Sequence, residues 1–344
     1  MHFGKILLRR CYMFRRKFVV LWLVLAFLLV NSYAIAQPTR YKLSIVLSEL
    51  SPWYEGAALF ADLVKARTDG KVLIDIYPNQ QLSAGDLIKG LQMLQAGAID
   101  MTFSSTIHYA AVDPRFIVVS MPWIMPGYEA VDQIIDGPIG EQLMAMVREN
   151  KVEPLALAGN GFRQITNNVR EITKPADLKG LRIRIPGMKM YISTFKHLGA
   201  NASALDFAEL YGALQQKTMD GQENPISTIV SGKLHEVQKY CTLWDYSYHL
   251  IVIGVNKKLW DGFDDKTKDI LKKSAKQAAF YEKMIARKQD KDLVDTMVKK
   301  GVKVTQLNPE QVKAFLPLVE PVYKEFEPAI GKELLEKFRS GGQK

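Results

Sequence analysis

The chain has 344 residues, of which 48% are apolar and 24% charged, with a formal net charge of +10. That composition excludes a disordered or fibrous chain and supplies enough apolar material for two domains. Six of the basic residues fall before position 37 with no acid among them, so the rest of the chain carries only +4, its lysines scattered; no nucleic-acid-binding surface is expected.

The first element in the chain is a leader. Arg15, Arg16 and Lys17 precede an apolar run of 13 residues from Phe18 to Val30, and Ala34-Ile35-Ala36 offers a small-residue cleavage site. Residues 1–36 therefore read as a secretory signal peptide cleaved after Ala36. The run is shorter than the roughly 20 residues of a spanning helix, and an uncleaved anchor is the alternative. Translation starts at Met1 or at Met13, directly before the basic cluster. Cys11 belongs to the leader, which leaves Cys241 alone in the secreted part. No internal disulfide can form, and a secreted chain without one points to a bacterial periplasm.

Beyond the leader, apolar alternation predicts strands at 41–47, 72–77 and 98–104, and apolar spacing at three and four predicts helices at 53–68 and 84–97. Asp69-Gly70 marks a turn. Further strands are expected at 153–160, 163–169, 181–186 and 249–256, and helices at 190–199 and 207–218. Strands separated by helices predict a parallel sheet with helices on its faces. Asp220-Gly221 and Asn224-Pro225 are expected to form turns. From Asp264-Asp265, a plausible cap, helical spacing runs to Gly301. A helix of that length either braces two lobes or lies on the surface of one. Asn308-Pro309 has the form of an N-cap followed by a first helical residue.

The search for reaction chemistry is negative. His108, His197, His235 and His249 are dispersed, and H-E-x-x-H, C-x-x-C, G-x-S-x-G and P-loop patterns are missing. Residues 159–164, Gly-Asn-Gly-Phe-Arg-Gln, lack the third glycine of a dinucleotide fingerprint. No catalytic residue, metal or cofactor is nominated, and binding is favoured over catalysis.

What remains is a set of polar and aromatic side chains at strand ends. In residues 181–186, Leu-Arg-Ile-Arg-Ile-Pro, Arg182 and Arg184 share the face opposite the apolar residues, and Pro186 stops the strand. Arg184 then stands where open α/β sheets bind ligands, at a strand's carboxyl end. A guanidinium grips a carboxylate with two parallel hydrogen bonds. Arg163 follows Gly161-Phe162, and Asn224 lies in Asp220–Pro225. The alternative is a solvated sheet edge whose arginines pair with acids such as Glu171 or Asp177. Among the aromatics, Trp53 stands at a strand-to-helix entry, Phe207 and Tyr211 share a helix face, and Trp244 and Tyr246 alternate. The last two line a cleft or fill a sheet face.

Several stretches in order carry a family resemblance: FRQITNNVR, PADLKGLRIRIPG, LGANASALDFAELYGALQQKTMDGQENP and KLHEVQKY, with GAALFADLVKARTDGKV, YPNQQL and QAGAIDM before them. The chain resembles the DctP-type solute-binding subunits of TRAP (tripartite ATP-independent periplasmic) transporters over nearly its whole secreted length. The resemblance implies an α/β fold like that of type II periplasmic binding proteins, with two α/β lobes around a ligand cleft and a long bracing helix. Lobe I would comprise residues 37–160 and about 250–289, and lobe II residues 161–249 and about 290–344. It further implies periplasmic capture of a small organic acid (monocarboxylate, dicarboxylate or sugar acid) by a monomer. Small and large membrane subunits of a sodium-coupled permease would be the partners. By the same resemblance Arg184 is the carboxylate clamp, Arg163 and Asn224 complete the polar site, and Phe207 is the site aromatic. Glu49, Ser105, Trp53, Trp244 and Tyr246 join them as candidate lining. Two departures stand out: Asn-Ala-Ser-Ala-Leu replaces a proline-rich loop at 201–205, and Ser105 stands where sialic-acid-binding relatives have an acid. A binding protein that feeds a membrane sensor, or a periplasmic enzyme acting on a carboxylate, are the alternatives.

Overall fold

Backbone alternation becomes ten strands in the computed structural model, which describes residues 37–341; the leader and its cleavage site lie outside the described residues. In chain order they are β1 (Thr39–Ile45), β2 (Val72–Tyr77), β3 (Met101–Ser105), β4 (Val152–Asn167) and β5 (Arg182–Ile185). There follow β6 (Asn201–Ala204), β7 (Gly221–Pro225), β8 (Tyr240–Leu243), β9 (Tyr248–Asn256) and β10 (Lys303–Gln306). They pair in the order β2-β1-β3-β9-β4-β7-β5-β6, with β8 beside β4 and β10 beside β8.

The expected parallel sheet holds only for outer pairs: β1 with β3, β5 with β6 and β7, and β8 with β10. β9 and β4 run antiparallel to each other and to their other neighbours. One takes the chain out of the first group of strands and the other brings it back, so the adjacent pair must oppose.

Two expectations fail at glycines. The separate strands at 153–160 and 163–169 are one strand, β4, of 16 residues. Gly161 adopts φ +101°, and the register with β9 slips between Gly159 and Gly161. The glycine therefore makes a bulge that bends the strand without ending the ladder. As far as Phe162 β4 pairs with β9; β7 joins it from Arg163 and β8 from Ile165, so its end lies between those two. The expected turns at Asp220-Gly221 and Asn224-Pro225 are instead the two ends of β7. There a Cβ on Gly221 would stand 2.1 Å from the Thr166 carbonyl oxygen, so this glycine serves close backbone approach. Proline is tolerated at the strand end, and it favours an extended residue before it.

Helix signals were better guides. Ser51 caps the helix Pro52–Arg67, and Asp86 caps Leu87–Ala96 by accepting from the Lys89 amide at 2.9 Å. Asp264 accepts from Thr267 N at 2.7 Å and starts the helix Asp265–Lys299. Its 35 residues span roughly 50 Å at 1.5 Å each. Leu271, Ala275 and Ala278 pack into the core beneath β1, β3 and β9, whereas Met297 joins a second cluster with Leu210, Ile229 and Cys241. One helix thus binds the cores of both lobes, which resolves the alternative in favour of the brace. Asn308 and Gln311 cap each other's backbone at the start of Pro309–Lys313. Among the described residues no helix is long and apolar enough to cross a membrane.

Candidate ligand-binding site

Alternation puts Arg182 and Arg184 on one face of β5, but their surroundings differ. The Arg182 side chain is 50% exposed and its Nη2 donates to Asp220 at 2.6 Å. Arg184, between β6 and β7, is only 1% exposed. Its Nε donates to the Leu205 carbonyl at 2.8 Å, and among the described residues no carboxylate hydrogen-bonds to it. Glu171 instead holds Lys303 and Thr305, and Asp177 holds Thr173, so neither local acid neutralises it. Burial pulls its pKa down to about 10; the Glu223 charge opposes this, the Arg163 charge adds to it, and Asp206 opposes it weakly. At neutral pH Arg184 remains a cation.

Arg163, on β4, is equally buried but fully engaged. Its Nε and Nη2 fork onto the Glu223 carboxylate, the latter at 2.8 Å. Nη2 also reaches the Glu223 carbonyl at 2.7 Å and the Asn224 amide oxygen at 3.1 Å. Burial works against this charge, but Glu223 outweighs it and holds the guanidinium above its usual range. Nη1 lies 3.2 Å from His249 Nδ1. Because a guanidinium only donates, that nitrogen accepts, and the His249 proton sits on Nε2 and is donated to Ser105 Oγ at 2.8 Å. The Tyr246 hydroxyl donates to Glu223 Oε2 at 2.5 Å.

Arg184, Arg163, Asn224, Trp53 and Phe207 meet at one cavity of about 30 Å³, together with Thr228, His108 and His249. Asn224 is locked by Arg163 on its oxygen and by Gln222, which accepts from its nitrogen at 2.6 Å. Two contacts close the space beside Leu47 and Phe207. Ser48 Oγ donates to the Ser231 carbonyl at 3.2 Å, and Gly85 approaches Ala208 so closely that a Cβ would stand 3.0 Å from the Ala208 Cβ. Burial, reinforced by Arg163, lowers His108 to about 4, and burial with Arg163 and His108 puts His249 well below its ordinary value. Both rings are neutral near pH 7.

The other sequence candidates do not reach the cavity. Glu49 is exposed after β1. Ser105 is buried as a helix cap and as the partner of His249. Trp244 and Tyr246 pack together, ring centroids 4.9 Å apart, in an aromatic cluster with Trp123 and Phe195; only the Tyr246 hydroxyl communicates with the site, through Glu223. Alternating aromatics signal a covered sheet face as readily as a cleft wall, and here they cover a face. Sequence reasoning missed Glu223, His108, His249 and Thr228. Glu223 stood inside the quoted Asp-Gly-Gln-Glu-Asn-Pro stretch, while dispersed histidines without metal spacing gave no signal.

The family model described as "Bacterial extracellular solute-binding protein, family 7", DctP, matches residues 43–329. The chain belongs to the DctP family. The C4-dicarboxylate-binding periplasmic protein DctP of Rhodobacter capsulatus is 31% identical over 304 residues, 88% of this chain and 90% of that protein. A TRAP periplasmic solute-binding protein from Ralstonia eutropha H16, solved with (S)-2-acetolactate bound, is 37% identical with TM-score 0.85, covering 88% of this chain and 98% of that one. The sugar-acid-binding DctP-type protein of Advenella mimigardefordensis, in complex with galactonate, is 31% identical with TM-score 0.84, covering 89% and 98%. The fold is that of a TRAP solute-binding protein: α/β, two lobes around a cleft, with a long brace.

Proposed function

We propose that this DctP-family protein captures a small organic acid in the periplasm and passes it to the small and large membrane subunits of a sodium-coupled TRAP permease. Arg184 holds the ligand carboxylate, while Arg163 and Asn224 shape the polar side of the cavity. The observation that supports this is a buried guanidinium, 1% exposed, at a cavity wall, with no carboxylate among the described residues bonded to it. A buried charge is costly unless paired, and a ligand anion is the partner such a site lacks. Acetolactate and galactonate, bound in the two solved relatives, each bring one carboxylate. Transport, rather than sensing or catalysis, follows the relatives, which are binding proteins; ligand binding shifts the lobes towards the closed form.

The test is calorimetric titration of the exported protein with organic acids, in three forms. Arg184→Ala, and to a lesser degree Arg184→Lys, is expected to weaken binding by about 2–5 kcal/mol. Arg182→Ala, which breaks only an exposed pair with Asp220, is expected to leave it within about 0.5 kcal/mol. Equal losses from both positions would remove Arg184 from the ligand.

A further inference from the structure

Charge bookkeeping around the cavity narrows the ligand further. Arg163 and Glu223 cancel through their fork, and His108 and His249 contribute neutral rings. Among the described lining residues, that leaves Arg184 as the one cation without a hydrogen-bonded counter-charge. Beyond it the sign turns negative. Asp206 lies close enough to act on the Arg184 charge, and Asp86 and Glu209 act in turn on Asp206. Asn224 and Thr228 add neutral polar groups, and the rest of the wall is apolar: Leu47, Leu87, Ile107, Pro186 and Phe207, with Val46 beside them. Trp53 adds a single buried N–H, Nε1, that has no acceptor.

Resting on the carboxylate capture proposed above, we infer that this cavity selects a monoanion: a monocarboxylate with an apolar tail and one neutral oxygen function, in preference to a dicarboxylate. One carboxylate is balanced by Arg184. A second would meet aliphatic and aromatic side chains and the neutral Asn224 and Thr228, with no free cation among the described lining residues; Asp206, exposed and next in the chain to the lining residue Phe207, supplies a negative charge at the rim. An uncompensated charge removed from water is far costlier than a branched alkyl group in the same place.

A pair of probes of matched shape isolates the charge. Malate and 2-hydroxy-4-methylpentanoate share the hydroxyacid head, and the distal carboxylate of one is replaced by an isopropyl group of the same outline in the other. The protein exported to the periplasm, purified and titrated calorimetrically at pH 7.5, is expected to bind 2-hydroxy-4-methylpentanoate at least about tenfold more tightly than malate. Asp206 caps its helix without a side-chain hydrogen bond, so Asp206→Asn removes the rim charge with little structural cost. Because a dianion feels that charge twice, the substitution is expected to improve malate more than the monoanion and to narrow their ratio. Malate binding as tightly as its partner overturns the monoanion inference and leaves the carboxylate reading standing. Failure of both acids to bind folded protein overturns both. A ratio that Asp206→Asn does not move overturns the charge count as the source of selectivity.

Discussion

Glu282 offers the most quantitative test of how the brace is held. It lies midway along Asp265–Lys299, is wholly buried, and accepts one hydrogen bond, from Gly159 N at 3.1 Å on β4. Its other oxygen has no partner. The neighbouring helix packs closely against it: a Cβ on Gly56 would stand 2.8 Å from the Glu282 Cβ. Burial raises its pKa from 4.5 to about 8, against the smaller opposing pulls of the Gly159 hydrogen bond, Arg287 and Lys283. Between those values the folded protein keeps a proton that the unfolded chain has released. Stability from this group is therefore full below about pH 4.5 and is lost as pH rises to about 8. At 1.36 kcal/mol per pH unit the whole loss is about 5 kcal/mol, an upper figure because water and local relaxation soften such sites. Glu282→Gln keeps the shape and the acceptor while removing the titration. Urea unfolding followed by tryptophan fluorescence at pH 5, 6, 7 and 8 would compare the two proteins, and every other titrating group, His108 included, cancels in the difference. The variant is expected to gain about 2–3.5 kcal/mol on the parent between pH 5 and pH 8. A difference that stays constant with pH, or moves the other way, would refute a neutral buried carboxyl at this position.

Three further outcomes follow from contacts already described. Glu223→Gln leaves Arg163 buried without a counter-charge and is expected to cost about 3–5 kcal/mol in urea unfolding; a loss below about 1 kcal/mol would show that Asn224, His249 and the carbonyl suffice for Arg163. Gly159→Ala drives a Cβ to 2.1 Å from the Tyr248 hydroxyl, so overpacking of about 1–3 kcal/mol is expected. The Tyr248 ring carbons Cζ and Cε1 would stand 2.8 and 2.9 Å from the same Cβ, so Tyr248→Phe in the same chain should recover only part of the loss; full recovery would confine the clash to the hydroxyl. Burial pushes the Cys241 thiol up to about 12, so the folded protein should resist alkylation at pH 8 and react once denatured.

How much of this was legible beforehand depended on range. Helix caps at Asp264-Asp265 and Asn308, and the strand at 181–186, follow from neighbours three or four residues away; the structure keeps them, with Asp264 as the cap and the strand at 182–185. The errors arose where distant backbone overrode local preference. Gly159 and Gly161 looked like a strand break and are a bulge, and Asp220-Gly221 looked like a turn because nothing nearby reveals Thr166 pressing on Gly221. Trp244 and Tyr246 were ambiguous for a similar reason: alternation assigns a face but not what covers it.

Local sequence by itself determined that Arg182 and Arg184 share one face of a short strand, and that apolar residues hold that strand in place. Tertiary structure alone decided which arginine is left without a counter-ion. Asp220, 38 residues along the chain, takes Arg182, and Glu223, 60 residues from its partner, takes Arg163. Arg184 is enclosed by the same strands and receives only a carbonyl. The physical reason is that a period of two fixes where a side chain points, whereas electrostatic balance depends on whichever residues the fold brings within a few ångströms.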